Sequence, residues 1–287
     1  MFFHLTIIHP QLCVVYTRDM LNFHWMQRIH WPNTPEGLVE MAKQLEDANI
    51  ESVLMPYGPG GNDFSMFLPD IFRSTKKIRI IIAAGAYAVT PEYVAKTFFT
   101  AQNFGDNRVD LNLVAGRYSD EFEQMAIDKY PGDSSLVDTH TKRVAMTEKW
   151  MEKFVSILKH EEYTTKLMVV GSSETTIRIA NNYTDYMIIN GDILIDGKRG
   201  QLTNTKPILC IDPLILEDGM SEDDVEYNEY KFVKKNQHHI KGTYEQVKQE
   251  IKELATRNNI NDFMIHTDQK NIDQLLRLVK DLSQKVD

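Results

Sequence analysis

The 287-residue sequence predicts an α/β fold, a (β/α)8 TIM barrel of one domain spanning residues 1–287. Three observations predict it. Apolar runs of strand length alternate with helix-periodic stretches along the whole chain. The runs are apolar nearly throughout rather than at every second residue, as in strands covered on both faces of a parallel sheet. Most runs end in glycine or polar residues, which suits loops at the carboxyl ends of barrel strands. Eight such units fit one barrel of roughly 250 residues, and no linker composition or finer repeat divides the chain.

The elements follow in order. Phe2 to Ile8 reads as the first strand, stopped by Pro10, which has no N–H to give to a ladder. Residues Cys13 to Pro32 carry Tyr16, Phe23, His24, Trp25, His30 and Trp31, and read as a long aromatic loop over a pocket. Thr34 caps a helix with Pro35 at its first position and Leu38, Met41, Ala42 and Leu45 as its buried stripe. Ser52 to Pro56 is a second strand, followed by the glycine-rich loop Tyr57 to Gly61 and a short helix from Phe64 to Phe72. Lys77 to Ala84 is a third strand, and Thr90 caps the helix Pro91 to Phe104. Asn107 to Gly116 is the fourth strand, ending on a glycine that lets a ligand approach the backbone.

A helix from about Thr141 to Leu158 comes next, then the strand Lys166 to Val170 and the loop Gly171-Ser172-Ser173-Glu174 opening a helix to Asn182. Asp185 to Ile189 and Pro207 to Ile211 are strands six and seven. Leu216 to Gln237 reads as a surface excursion and His238-His239 as a solvated pair. Gly242 leads into an amphipathic helix with Val247, Ile251 and Leu254 inside. Asp262 to His266 is the eighth strand and Ile272 to Val286 the last helix.

Composition removes several classes of function. With 32 Lys and Arg against 41 Asp and Glu, the net charge is −9. Nucleic-acid binding needs clustered cations to displace counterions from phosphates, so no nucleic-acid partner is expected. Cys13 and Cys210 are the two cysteines, too few for a disulfide framework, and read as buried thiols. No His, Asp or Glu cluster has metal-ligand spacing, so no metal is expected. No apolar run approaches the ~18 residues of a membrane span, and the first residues lack a basic leader region. A soluble cytoplasmic protein without membrane contact follows.

In a barrel the chemistry sits on the loops after each strand. Those positions include His9, Tyr57 to Asp63, Ala86 to Thr90, Asn112 to Tyr118, Gly171 to Ser173, Asn190 to Asp192, and His266. Gly171-Ser172-Ser173 is the sharpest feature, since two hydroxyls and the N–H groups of a helix start can cradle a phosphate. The same residues also serve as a plain helix cap, and both readings stand. No Gly-x-Ser-x-Gly elbow supports a serine hydrolase.

Several stretches in series resemble the bacterial luciferase-like family of flavin-dependent monooxygenases, in particular its alkanesulfonate monooxygenase branch. They are Val53-Leu-Met-Pro-Tyr-Gly58, Ala88-Val-Thr-Pro-Glu-Tyr-Val-Ala-Lys96, Asn107-Arg-Val-Asp-Leu-Asn-Leu-Val-Ala-Gly116, His140-Thr-Lys-Arg143, Val170-Gly-Ser-Ser173 and Gly242-Thr-Tyr-Glu-Gln-Val247. The resemblance implies FMN as cofactor, delivered reduced by a separate flavin reductase. Its phosphate would lie on Gly171, Ser172 and Ser173, with His140 and Arg143 as further contacts, and its ring system over Tyr57, Asn112, Val114, Ala115 and Gly116. The implied reaction is oxidation of a small organic substrate by O2 through a C4a-(hydro)peroxyflavin, with His9, Tyr57 and Asn112 as catalytic candidates. A homodimer is implied as well. A flavin-binding relative without turnover and a deazaflavin-dependent oxidoreductase are the alternatives. Three departures mark the chain. Gly61 stands where the alkanesulfonate enzymes have cysteine, and Val144 replaces the tyrosine of the His-x-x-Arg-Tyr element. The insertion after strand seven is shortened.

Overall fold

A computed structural model describes residues 20–27, 34–56, 64–86, 89–114, 140–163, 165–195, 197–217, 219–221, 225, 238–267 and 272–284. Nine parallel strands make one sheet: β1 Asn22–Met26, β2 Ser52–Met55, β3 Arg79–Gly85, β4 Val109–Val114, β5 Leu167–Val170, β6 Tyr186–Ile189, β7 Lys206–Ile215, β8 His238–Gly242 and β9 Asp262–Ile265. The strands β1 to β7 pair in sequence, β9 lies between β7 and β1, and eight strands thereby close into a barrel. The helices are α1 Pro35–Asp47, α2 Leu68–Ser74, α3 Pro91–Gly105, α4 His140–His160, α5 Glu174–Tyr183, α6 Gly191–Ile195, α7 Tyr244–Asn258 and α8 Asp273–Leu282. The α/β barrel expected from the sequence is therefore the fold.

The first barrel strand differs from the expectation. The first barrel strand is β1, inside the stretch read as an aromatic loop; it pairs Trp25 with Val53 of β2 and with Ile265 of β9. The reason lies in its alternation. Phe23 and Trp25 are buried in the layer between sheet and helices, with Phe23 stacked 5.9 Å from Phe263, while His24 belongs to the opposite, inward face. The aromatics that suggested a cover are the strand's outer, apolar face. The expected strand Phe2 to Ile8 lies outside the described residues, and its place in the barrel is taken by β1.

The same alternation organises the rest. Outward residues such as Val53, Ile80, Leu111, Val169, Met187 and Phe263 join the helices in one large core. Inward residues Leu54, Ile81, Ala83, Met168, Ile188, Ile208, Cys210 and Met264 fill the barrel as a second, smaller one. Burying each such side chain contributes about 1.5–3 kcal/mol before entropy is counted. Caps set the helix starts: Thr34 accepts from Gly37 N–H at 3.1 Å, Thr90 from Tyr93 N–H at 3.3 Å, and Thr243 and Gln246 form a reciprocal capping box.

Strand β7 runs past its expected end at Ile211. Its first half pairs with β6 and β9, and its second half, Ile211 to Ile215, continues beyond the barrel and pairs with β8. His238-His239, read as a surface pair, thus lies in a strand. Among the described residues no helix is long and apolar enough to cross a membrane.

Candidate active site at the carboxyl ends of the strands

Parallel closure puts all the strand ends at one mouth, and the inward residues nearest that mouth are those free to meet a ligand. On β4 these are Asn112 and then Val114. Asn112 sits in register with Ala83 and Met168 of the inner core and is 1% exposed. Its Oδ1 accepts no hydrogen bond among the described residues. Leaving a buried acceptor unmade costs on the order of 1–3 kcal/mol, and this atom could receive an N–H or O–H from a ligand. Val114, half-buried, ends the strand beside Gly85.

The next strand supplies the glycine and hydroxyl group. Gly171 follows β5 with φ of 153°, and a Cβ there would stand 3.0 Å from the Thr176 side chain. Glycine therefore lets the strand end lie directly on the first turn of α5. Its own N–H is committed to Ile188 C=O at 3.2 Å, so Gly171 contributes room rather than a donor. Ser173 is the N-cap: its Oγ accepts from Thr176 N–H at 3.1 Å and lies 2.8 Å from Thr176 Oγ1. The capping role is thus realised. It leaves the half-buried Ser172 hydroxyl and the N–H groups of Glu174 and Thr175, which have no partner within the helix, as the donors that could meet an anion. Glu174 opens the helix as an exposed acid.

Other expected positions divide in two. His140 and Arg143 form the first turn of α4, with their side chains outside the description. His9, Tyr57, Gly61, Ala115 and Gly116 lie outside the described residues altogether. The strand end that argued for His9 at the mouth belongs instead to Met26 and Gln27.

Two mouth residues were missed or underweighted. Asp212, two residues beyond the inward Cys210, is buried, and its Oδ2 lies 3.0 Å from Nδ1 of His239, its register partner on β8. Alternation continued past Ile211 would have revealed Asp212; nothing local signals the pairing. His266, two residues beyond the inward Met264, is buried, and its N–H bonds Ile211 C=O at 3.0 Å. Cys210, inside the barrel, is a structural thiol whose pKa burial pushes up to about 12. Sequence spacing also missed a cluster at the opposite end of the barrel, where closure brings His24, Glu51 and Asp262 together.

Comparisons with known proteins bear on the family and on the fold. Residues 20–191 match the luciferase-like monooxygenase family. A pyrimidine monooxygenase of Caulobacter segnis is 26% identical over 132 residues, a match covering 41% of this chain and 37% of that protein. The chain thus aligns with little more than a third of this relative's length. The structure of the EDTA monooxygenase from Chelativorans sp. BNC1 superposes with a TM-score of 0.70 at 12% identity, over 92% of each chain. A riboflavin lyase structure containing modified FMN and riboflavin gives 0.69 at 12% identity, again over 92% of each. Such low identities establish a common fold. The family match spans more than half the chain, and the chain belongs to the luciferase-like monooxygenase family.

Proposed function

We propose that this protein is a flavin-dependent monooxygenase that binds reduced FMN at the carboxyl-end mouth and uses O2 to oxidise a small organic substrate. The observation that carries the reading is Asn112, an interior amide with an unpartnered buried oxygen, on the strand beside the one that ends in Gly171-Ser172-Ser173. The residues present fit FMN. One polar atom awaits a donor deep in the mouth, and a helix start with a hydroxyl in reserve is suited to a phosphate.

Ser172, Ser173 and the first-turn N–H groups of α5 would hold the phosphate, with His140 and Arg143 as additional contacts. Tyr57, Asn112, Val114, Ala115 and Gly116 would line the ring system. The bound reduced flavin supplies the electrons that activate O2. The chain's own residues orient substrate and keep water out, which protects reactive species from hydrolysis. Asn112 Oδ1 could accept a hydrogen bond from a ring N–H, and His9 or Tyr57 would serve as proton donor beside the flavin. A separate reductase supplies the flavin, the protein acts in the cytoplasm, and two copies form a dimer. Resemblance to the family supports the reductase and the dimer. The alkanesulfonate branch is supported by motif likeness alone, and Gly61 in place of cysteine points away from a sulfonate.

The test compares FMN with riboflavin, which lacks the phosphate, on the wild type and on Ser172→Ala combined with Ser173→Ala. The double variant should weaken FMN binding at least several-fold and leave riboflavin binding unchanged. Unchanged FMN affinity would sink the phosphate assignment. Reductase-supported oxygen uptake that rises with a substrate separates turnover from flavin binding alone.

A further inference from the structure

The amino end of the barrel holds a cluster that the flavin site does not use. His24 is the middle residue of β1, Glu51 directly precedes β2, and Asp262 begins β9. Because β1 lies between β2 and β9, the three come from adjacent strands, and one ligand atom from each lies within 4.8 Å of the others. His24 is 2% exposed. Its Nδ1 is 2.7 Å from Ser52 Oγ, and its Nε2, with no hydrogen bond among the described residues, points at Asp262 Oδ1 from 3.5 Å.

That distance leaves room for an ion. It exceeds the ordinary N–H···O range of ~2.7–3.2 Å. Ligand atoms ~2.1 Å from a tetrahedral ion, however, stand about 3.4 Å apart. When Nδ1–H donates to Ser52, the Nε2 lone pair faces a carboxylate oxygen, and two acceptors face to face call for a cation between them. The surroundings support one. Lys166 Nζ holds Glu51 Oε1 at 2.6 Å and leaves Oε2 available, while Asn22 Nδ2 steadies Asp262 at 3.1 Å. Glu51, Asp262 and Asp110 against Lys166 and Arg79 leave a negative balance for a metal to offset. The Glu51 side chain, 32% exposed, gives access from solvent for the ion and a water as fourth ligand.

We propose that His24, Glu51 and Asp262 bind a divalent transition-metal ion, Zn2+ by its preference for mixed imidazole and carboxylate ligands, which staples β1 to β2 and β9. Here the chain's first barrel strand meets its last. The amino face of such barrels serves stability, and an ion bound only by the folded state raises stability with its concentration.

The full chain, stripped with a chelator that is then removed, is titrated with ZnCl2 by calorimetry and melted with and without the metal. The wild type should bind one ion at micromolar affinity or tighter, and its Tm should rise with Zn2+ but not with Mg2+. Glu51→Gln, at a partly exposed position, and Asp262→Asn should each weaken binding at least about tenfold. Circular dichroism confirms that each variant is folded, and Glu51→Gln serves alone if Asp262→Asn is not. No saturable binding by the wild type would overturn the proposal and leave His24 with its proton on Nε2. Binding that Glu51→Gln leaves unchanged would also overturn it, by placing the zinc elsewhere. FMN affinity, set at the far end of the barrel, stays the same with and without zinc.

Discussion

Asp110 and Asn112 lie two residues apart on β4, face the same barrel interior, and are treated in opposite ways. Asp110, toward the amino end, takes Arg79 Nε at 2.7 Å and Nη2 at 2.5 Å, and the Lys166 backbone N–H at 3.1 Å. Lys166 in turn pairs with Glu51 at 2.6 Å and lies 5.6 Å from the centre of the Tyr186 ring. The pairings show in the acid–base behaviour. Hydrogen bonding to Asp110 raises the Arg79 pKa; burial alone would lower that of Lys166, but the Glu51 contact outweighs it. Asn112, toward the carboxyl end, keeps a buried oxygen without a partner. Around Asp110 the polar groups are satisfied by one another and tie neighbouring strands together; at Asn112 a buried oxygen is left open to a ligand.

Removing a partner at the satisfied end should give the largest effect. Asp110→Ala strands the half-buried Arg79 and should cost about 3–5 kcal/mol, read from urea unfolding. A loss below ~1 kcal/mol would mean that the pair is not a structural tie.

Glu46, at the end of α1, tests the same end through pH. Its carboxylate accepts the N–H groups of Lys76, Lys77 and Ile78, at 2.9, 2.6 and 2.8 Å, where the chain enters β3. Burial raises its pKa, but these three bonds outweigh it and hold the group below the ordinary value of 4.5. A depressed folded pKa stabilises the protein above the unfolded value, and that stability is lost as pH falls through the folded one. Glu46→Gln should cost about 2 kcal/mol at pH 7 and flatten the acid limb of the stability profile. An unchanged acid limb would show that the three bonds contribute nothing.

The open end should respond in the opposite sense. Asn112→Leu, close in volume, should alter the unfolding free energy of the ligand-free protein by less than ~1.5 kcal/mol, because an unmade hydrogen bond is removed. FMN affinity should fall at least several-fold. A large loss of stability with intact FMN binding would make Asn112 a structural residue.

How much of this was legible follows from the same contrast. Strands β3, β5 and β6 could be read directly because apolar side chains occupy both faces, one against helices and one inside the barrel; β4 and β9 could be read from their apolar outer faces, although Asp110, Asn112 and Asp262 lie on the inner one. Strand β1 could not: five residues, Asn-Phe-His-Trp-Met, with a histidine inward and no β-branched residue, resemble a pocket cover as much as a strand. The strand β8, His-His-Ile-Lys-Gly, lacks an apolar run because it lies outside the closed barrel, with exposed His239 and Lys241 either side of the buried Ile240. Asn112 was legible as a polar residue near the end of a largely apolar strand, and Ser172-Ser173 as a helix start. The meeting of His24, Glu51 and Asp262 was not, because closing the barrel creates it and sequence spacing does not encode closure.

The most direct measurement is an anaerobic titration with reduced FMN beside a titration with oxidised FMN. Tighter binding of the reduced form, followed on admission of air by substrate-dependent oxygen consumption, is the result predicted for a mouth built to receive reduced flavin. Failure of both forms to bind, or a preference for oxidised FMN without substrate-dependent uptake, would contradict it.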